Sequence, residues 1–204
     1  LWGPPGTGKT TLARLVATST QSDFQPVSAV TSGVADLRKI VAEAKDRKGM
    51  HRQSTILFVD EIHRFNKAQQ DLLLPGVEAG EARLIGATTH NPRYYVIDPL
   101  LSRCQLFALE PLPTDEIEKA LSQALEDEER GLGTRTCKAG KNVLGHIALL
   151  AEGDLRRAYN FIETIVEALP EGSEVTEAEV AGFCRERSIR YDRNEDEHYD
   201  TASA

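Results

Sequence analysis

The chain has 204 residues, 27% of them charged and 40% hydrophobic, and a formal net charge of −8. This is the composition of a soluble globular protein of one large or two small domains. No apolar run approaches a membrane span, and three scattered cysteines with five unclustered histidines argue against a disulfide framework, a zinc site and an oxidising compartment. The acidity is uneven: residues 1–109 carry 13 Lys+Arg against 10 Asp+Glu, residues 110–204 carry 11 against 22, so a nucleic-acid partner is not excluded for the first half, while the second half is not expected to be the main phosphate-binding surface.

The first element is Gly3-Pro4-Pro5-Gly6-Thr7-Gly8-Lys9-Thr10, a full G-x-x-x-x-G-K-[ST] match. Its glycines let successive backbone N–H groups turn inward around a phosphate. Lys9 is placed for the β- and γ-phosphates, and the Thr10 hydroxyl suits Mg²⁺. Thr11 to Ala17 reads as a helix whose positive end faces the same phosphates, so the nucleotide-binding set runs from Gly3 to Thr11. A P-loop follows a strand, and only Leu1 and Trp2 precede Gly3. The expectation is a chain that starts inside its first core strand, without upstream adenine-side elements.

Gln25 to Val30 reads as a short strand, and Val34 to Arg47 as a helix with its stripe at Val34, Leu37, Ile40, Val41 and Ala44. Lys45, Arg47, Lys48, His51 and Arg52 then form a basic cluster. It suits a helix C-terminus, with a nucleic-acid phosphate contact as the alternative. Ile56 to Asp60 is a buried strand ending in Asp60-Glu61. After a P-loop, such a pair suggests Asp60 for the Mg²⁺ shell and Glu61 as the base that polarises the attacking water. Lys67 to Glu78 reads as a helix bent by Pro75-Gly76, and Arg83 to Thr88 as the next strand. At its end Thr89 suits a contact to the γ-phosphate or water, or else a local backbone bond; Asn91 is the weaker substitute. Arg103, between this strand and a last one at Leu106 to Leu109, matches an arginine supplied to a neighbour's nucleotide.

Pro111 and Pro113 mark a boundary, after which the pattern turns helical. Thr114 is expected to cap a helix with Gly131 past its end. Asn142 to Ala151, Asp154 to Ala168 and Thr176 to Arg187 follow, the last opened by a Thr176/Glu179 capping box. Arg156 opens one of these helices, where it suits either a phosphate contact from the lid or a salt bridge in an acidic bundle. From Ser188 the chain is polar and acidic and reads as a tail. The expected architecture is α/β: a P-loop core with a parallel sheet flanked by helices over 1–110, a small all-helical lid over 111–187, and a tail over 188–204.

Together these elements resemble the clamp-loader-like branch of the AAA+ ATPases, through the P-loop, Ser102-Arg103-Cys104 and Gly153-Asp154-Leu155-Arg156-Arg157-Ala158. A narrower resemblance is to the replication-associated recombination protein A family (RarA or MgsA; Werner helicase-interacting protein in eukaryotes). It rests on the stretches 29–34, 60–71, 85–92 and 191–200, and His63-Arg64-Phe65-Asn66-Lys67 is its specific part. The resemblance implies that Lys9 and Thr10 bind phosphate and Mg²⁺, that Asp60 and Glu61 are the Walker B pair, and that Thr89 is sensor 1, Arg103 the arginine finger and Arg156 sensor 2. It also implies DNA-dependent ATP hydrolysis on single-stranded, gapped or forked DNA, a homotetramer, replication partners such as single-strand-binding protein, and a cytoplasmic or nuclear setting. Two departures, His90 for Glu and Gly76 for His, are not expected to touch the chemistry. A clamp-loader subunit, a RuvB-type motor and a nucleotide-gated scaffold with little turnover are the alternatives.

Overall fold

The alternating strand-like and helix-like runs of the first half assemble into a parallel sheet with helices on both faces. The computed structural model describes residues 1–51 and 53–184. They fall into two compact units, Leu1–Pro111 and one that starts at Leu112. The first unit runs α1 (Lys9–Ser19), β1 (Asp23–Ser28), α2 (Val34–His51), β2 (Thr55–Asp60), a 3₁₀ turn at Ile62–Arg64, α3 (Lys67–Asp71), α4 (Leu74–Glu78), β3 (Ala82–Gly86), a second 3₁₀ turn at Pro92–Tyr94 and α5 (Asp98–Leu101).

The sheet order is β1-β2-β3, all parallel. β2 is buried on both faces because its residues alternate sides. Leu57 and Val59 join the layer built by Leu37 and Ala44 of α2 with Leu73 and Leu100. Phe58 faces the other way, onto Ala13 of α1, with Ala87, Phe24 and Ile85 around it. The register pairs Ser28 with Asp60 and Val59 with Gly86, so the carboxyl ends of all three strands open on one edge.

Several boundaries differ from the sequence expectation. The first strand is Asp23–Ser28 rather than 25–30. The expected strand at Leu106 to Leu109 is a single bridge, Trp2 with Ala108, and Trp2 also bridges Thr88. Trp2 N–H donates to the Phe107 carbonyl at 3.0 Å and Leu109 N–H to the Trp2 carbonyl at 2.8 Å. One residue thus acts as the sheet's next strand. The expected helix 67–78 is two short helices, because Pro75 lacks the N–H and the room that a continued helix needs; it opens α4 instead. The basic cluster behaves as a solvated helix end. Lys45 pairs with Glu81, Arg47 with Asp23 and Glu43, and Lys48 donates to the Ala79 carbonyl. Arg52 and the side chain of His51 lie outside the described residues.

The second unit packs α6 (Thr114–Glu126), α7 (Lys141–Ala151) and α8 (Leu155–Ala168) around one core. Ile117, Leu121 and Leu125 of α6 meet Val143, Leu144 and Ile147 of α7 and Phe161, Ile162 and Ile165 of α8, each set at helical spacing. Alongside the helices lies a two-residue parallel pair, β4 (Lys138–Ala139) with β5 (Glu174–Val175), which apolar periodicity is too short to reveal. Thr114 does not cap α6: Pro113 is the N-cap and no side chain closes it. Asp154 caps α8, accepting from Arg157 N–H at 3.0 Å. Thr176 N–H donates to the Glu179 carboxylate at 2.7 Å as helix 177–184 begins. The expected helix end at Arg187 and the tail lie outside the described residues. No helix among those described is long and apolar enough to cross a membrane.

One buried polar side chain ties the first unit together. Gln70 is 1% exposed. Its Nε2 donates to the carbonyls of Phe65 and Tyr95, each at 2.9 Å, and its Oε1 accepts from Ile97 N–H at 2.9 Å. Gln70→Leu fits the space but orphans three backbone groups. Chemical denaturation is expected to show a loss of about 2–4 kcal/mol, at the penalty known for stranded buried polar groups.

Candidate nucleotide site

The P-loop is held at its base by the sheet. Gly3 N–H donates to the Thr88 carbonyl at 3.2 Å and Thr88 N–H donates to the Leu1 carbonyl at 3.1 Å. Gly3 has φ 153°, and a Cβ there would stand 2.2 Å from the Leu109 carbonyl oxygen, so no other residue fits. Gly8, at φ 82°, turns the chain into α1, a left-handed conformation that suits only glycine at low cost. The first turn of α1 carries Lys9, Thr10 and Thr11, and the positive end of the helix dipole there favours an anion.

Lys9 is 9% exposed, deeper than is usual for a lysine. Its Nζ donates to the carbonyls of Gly3 at 2.9 Å and Pro4 at 2.6 Å, and lies 3.4 Å from Thr7 Oγ1. Thr7 in turn donates to the Pro4 carbonyl at 2.9 Å. The loop is therefore wrapped around a fixed positive charge. Thr10 is half-buried beside it and Thr11 is exposed, as are Pro4 and Pro5.

Asp60 closes β2, and its Oδ1 accepts from Glu61 N–H at 3.1 Å. Glu61 leaves the strand at φ 53°, ψ 42°. This left-handed turn is costly for a residue with a Cβ, and it swings the side chain off the strand's alternation. Glu61 Oε2 lies 3.3 Å from His63 Nε2 and 3.9 Å from Arg64 Nε. His63 Nδ1 stands 2.8 Å from Thr88 Oγ1. Burial pushes the His63 pKa below the ordinary histidine value; Glu61 opposes this, and His90 and Arg64 add to it. The ring of His90 sits edge-on to that of His63 at 4.3 Å, with Tyr95 5.2 Å from His90. His90, set apart on sequence as remote from the chemistry, is thus in the layer next to Glu61.

The predicted residues fall as follows. Gly3 to Thr11 form one loop and helix start, and Asp60, Glu61 and Thr89 lie at the same edge of the same sheet. Thr89 is exposed, while its neighbour Thr88 is 2% exposed. Arg103 is exposed just beyond α5, where it pairs with Glu78 at 2.5 Å and donates to the Pro99 carbonyl at 2.8 Å. Arg156 is an exposed residue of the second unit. Its neighbour Arg157 pairs with Glu152 at 2.7 Å and lies over the Phe161 ring. The roles of His63, Thr88 and Gln70 escaped sequence reasoning: a lone histidine after a carboxylate pair, a threonine just past a strand and a glutamine within a helix carry no spacing signal. An apolar cavity of about 930 Å³ in the first unit runs between Leu12 and Val16 of α1, β3 and residues 105–109. Lys9, Asp60 and Glu61 do not line it.

Comparisons with known proteins bear on the family and the fold. Residues 1–112 match the ATPase family associated with various cellular activities (AAA), and residues 133–204 match an AAA C-terminal domain. Replication-associated recombination protein A of Escherichia coli strain K12 is 44% identical over 208 residues, covering 100% of this chain and 46% of that protein. Its Bacillus subtilis counterpart is 42% identical, with 48% of its length covered, and Dictyostelium discoideum ATPase WRNIP1 is 35% identical, with 25% covered. The chain therefore spans about half the length of the bacterial relatives. Among solved structures, the Thermotoga maritima RuvB Holliday junction branch migration motor superposes with a TM-score of 0.69 at 25% identity, over 89% of this chain and 58% of that one. The resemblance read from the sequence is borne out.

Lys9→Ala removes the buried cation and its bonds at the centre of the loop. Titration with a fluorescent ATP analogue is expected to show affinity falling by about tenfold to a hundredfold, from the ~1.5–3 kcal/mol of a charged hydrogen bond. Unchanged affinity would place the nucleotide elsewhere.

Proposed function

The chain belongs to the AAA family of ATPases, and from that premise we propose that it is the motor part of a DNA-dependent ATPase that maintains or recombines replication forks. The observation that carries the reading is the convergence of the Lys9 loop and the Asp60-Glu61 pair on one sheet edge. Gly3 to Thr11 would cradle the phosphates of ATP, with Lys9 countering their charge. The donors suit Mg²⁺, a hard cation that takes oxygen ligands: the Thr10 hydroxyl and the Asp60 carboxylate would hold it. When bound, Mg²⁺ supplies charge neutralisation on the transferring phosphoryl group. Glu61 would accept the proton of the attacking water, and Thr89 would orient that water or the terminal phosphate.

Arg103 is assigned to a neighbouring subunit's nucleotide. It is exposed, and its bond to Glu78 is a surface ion pair of the kind worth about 1 kcal/mol or less, so exchanging it for a phosphate costs little. Arg156 is assigned to the nucleotide from the lid. The names of the relatives favour DNA and replication proteins as partners, a homo-oligomer follows from assigning Arg103 to a neighbour's nucleotide, and the less acidic first half is the better surface for a phosphate backbone.

The test is ATP turnover by the full-length protein with single-stranded, duplex and gapped DNA, with and without a sliding clamp. Stimulation by DNA ends or gaps is expected. Stimulation only with the clamp would favour a clamp loader, and near-zero turnover with tight ATP binding a scaffold. Arg103→Ala is expected to keep nucleotide affinity and lose turnover by about 10³-fold or more, the scale of an arginine finger. Glu61→Gln should also bind and not turn over. Mixing the two inactive proteins should restore part of the activity, because an Arg103→Ala subunit keeps its own Glu61 and borrows its neighbour's arginine. No recovery in demonstrated mixed oligomers would make Arg103 a residue that acts within its own chain.

A further inference from the structure

The side chain of Glu61 does not stand alone at the strand end. Its Oε2 faces His63 Nε2 at 3.3 Å, and the imidazole is held from behind by Thr88 Oγ1, 2.8 Å from Nδ1. Thr88 Oγ1 also accepts from His90 N–H at 3.0 Å and lies within donating distance of the His90 carbonyl, at 3.4 Å. Hydrogen-bond accounting orders these contacts. The hydroxyl proton can go to the His90 carbonyl or to the shorter contact, Nδ1 of His63, and the carboxylate that faces Nε2 selects the second. A neutral imidazole that accepts at Nδ1 carries its proton on Nε2, which then donates to the Glu61 carboxylate. The reverse tautomer would set an Nε2 lone pair against a carboxylate oxygen. Burial pushes the His63 pKa down, which favours the neutral ring. The groups that face the ring are Glu61, Arg64, His90 and the Tyr95 ring, so one carboxylate, one guanidinium and one imidazole set its charge environment.

We propose that His63 is a positioning residue for Glu61: it holds the base's carboxylate by an Nε2–H bond and ties its direction to the 88–90 turn that carries Thr89. Three observations converge on this. Glu61 sits in a left-handed backbone conformation that frees its side chain from the strand's alternation, so something other than the strand must aim it. The side chain of His63 is only 10% exposed, against 33% for Glu61, so it is the fixed member of the pair. Thr88, its anchor, is 2% exposed and cannot swing away. A displacement of the 88–90 turn therefore moves Thr88 Oγ1, the imidazole and the carboxylate together, which couples the residue next to the terminal phosphate to the base.

The inference rests on Glu61 being the base, and its test separates the two. Full-length His63→Phe, which keeps a ring without a donor, His63→Gln, whose amide reaches where Nε2 does, and Thr88→Val, which removes the proton that fixes the tautomer, are compared with Glu61→Gln. Affinity for a fluorescent ADP analogue and the melting temperature report folding. His63→Phe is expected to keep nucleotide affinity and KM while kcat falls about a hundredfold, the scale set by misplacing a reacting group. His63→Gln should recover most of that loss, and Thr88→Val, nearly isosteric, should lose about tenfold, an intermediate value on the same scale. Parental turnover in both His63→Phe and Thr88→Val, with Glu61→Gln inactive, would overturn the proposal alone. So would a loss in His63→Phe that Gln does not repair. Parental turnover in Glu61→Gln would instead overturn the assignment of the base.

Discussion

Thr88 is the point on which both halves of the site turn. Its backbone carbonyl accepts from Gly3 N–H and its N–H donates to the Leu1 carbonyl, so the base of the P-loop is fixed by one residue of the central sheet. Its side chain meanwhile holds His63, and through it the carboxylate of Glu61. Backbone and side chain of one buried threonine thus tie the Gly3–Thr11 loop and the surroundings of Glu61 to one point. That requirement explains a polar side chain in so apolar a setting: its hydroxyl accepts from His90 N–H and bonds His63, which offsets the cost of burying it.

The stretch from His63 to Asp71 makes physical sense as a bracket for this arrangement. Glu61 departs from β2 in a strained conformation, and the turn after it must be held closed. Phe65 is buried in the core layer. Asn66 caps α3 reciprocally with Gln69: its Oδ1 accepts from Gln69 N–H at 2.9 Å while Gln69 Oε1 accepts from Asn66 N–H at 3.0 Å. Gln69 Nε2 also donates to the Ser32 carbonyl, and Gln70 ties Phe65 to Tyr95 and Ile97. The turn is closed by side-chain hydrogen bonds, so the residues of this stretch are ones that shape the surroundings of Glu61.

The two arginines outside the loop differ in how they are held. Arg103 is parked on Glu78 and the Pro99 carbonyl, an exposed arrangement in which water competes for both partners. Arg157 is fixed by Glu152 and the Phe161 ring, whereas Arg156 one position earlier is exposed. Neighbours on a helix point in different directions, which leaves Arg156 the side chain available to an external anion and Arg157 a packing residue of its own unit.

The sequence by itself determined the phosphate loop, the carboxylate pair, the α/β order of the first half and the helical core of the second. Each is local: the loop depends on glycine conformations and one lysine, the strand on an unbroken apolar run, the helices on a 3.6-residue stripe. It did not determine where proline would split the 67–78 helix, that residues 106–109 would supply only a bridge at Ala108, or that a two-residue strand pair would join the lid, because such features answer to partners distant in the chain. Tertiary structure alone decided the surroundings of Glu61. His63, Thr88 and His90 are separated by up to 27 positions and meet only because parallel register aligns the ends of β2 and β3. Hydrogen bonds across that edge have no periodicity in sequence, so the residue types were legible and their partnership was not.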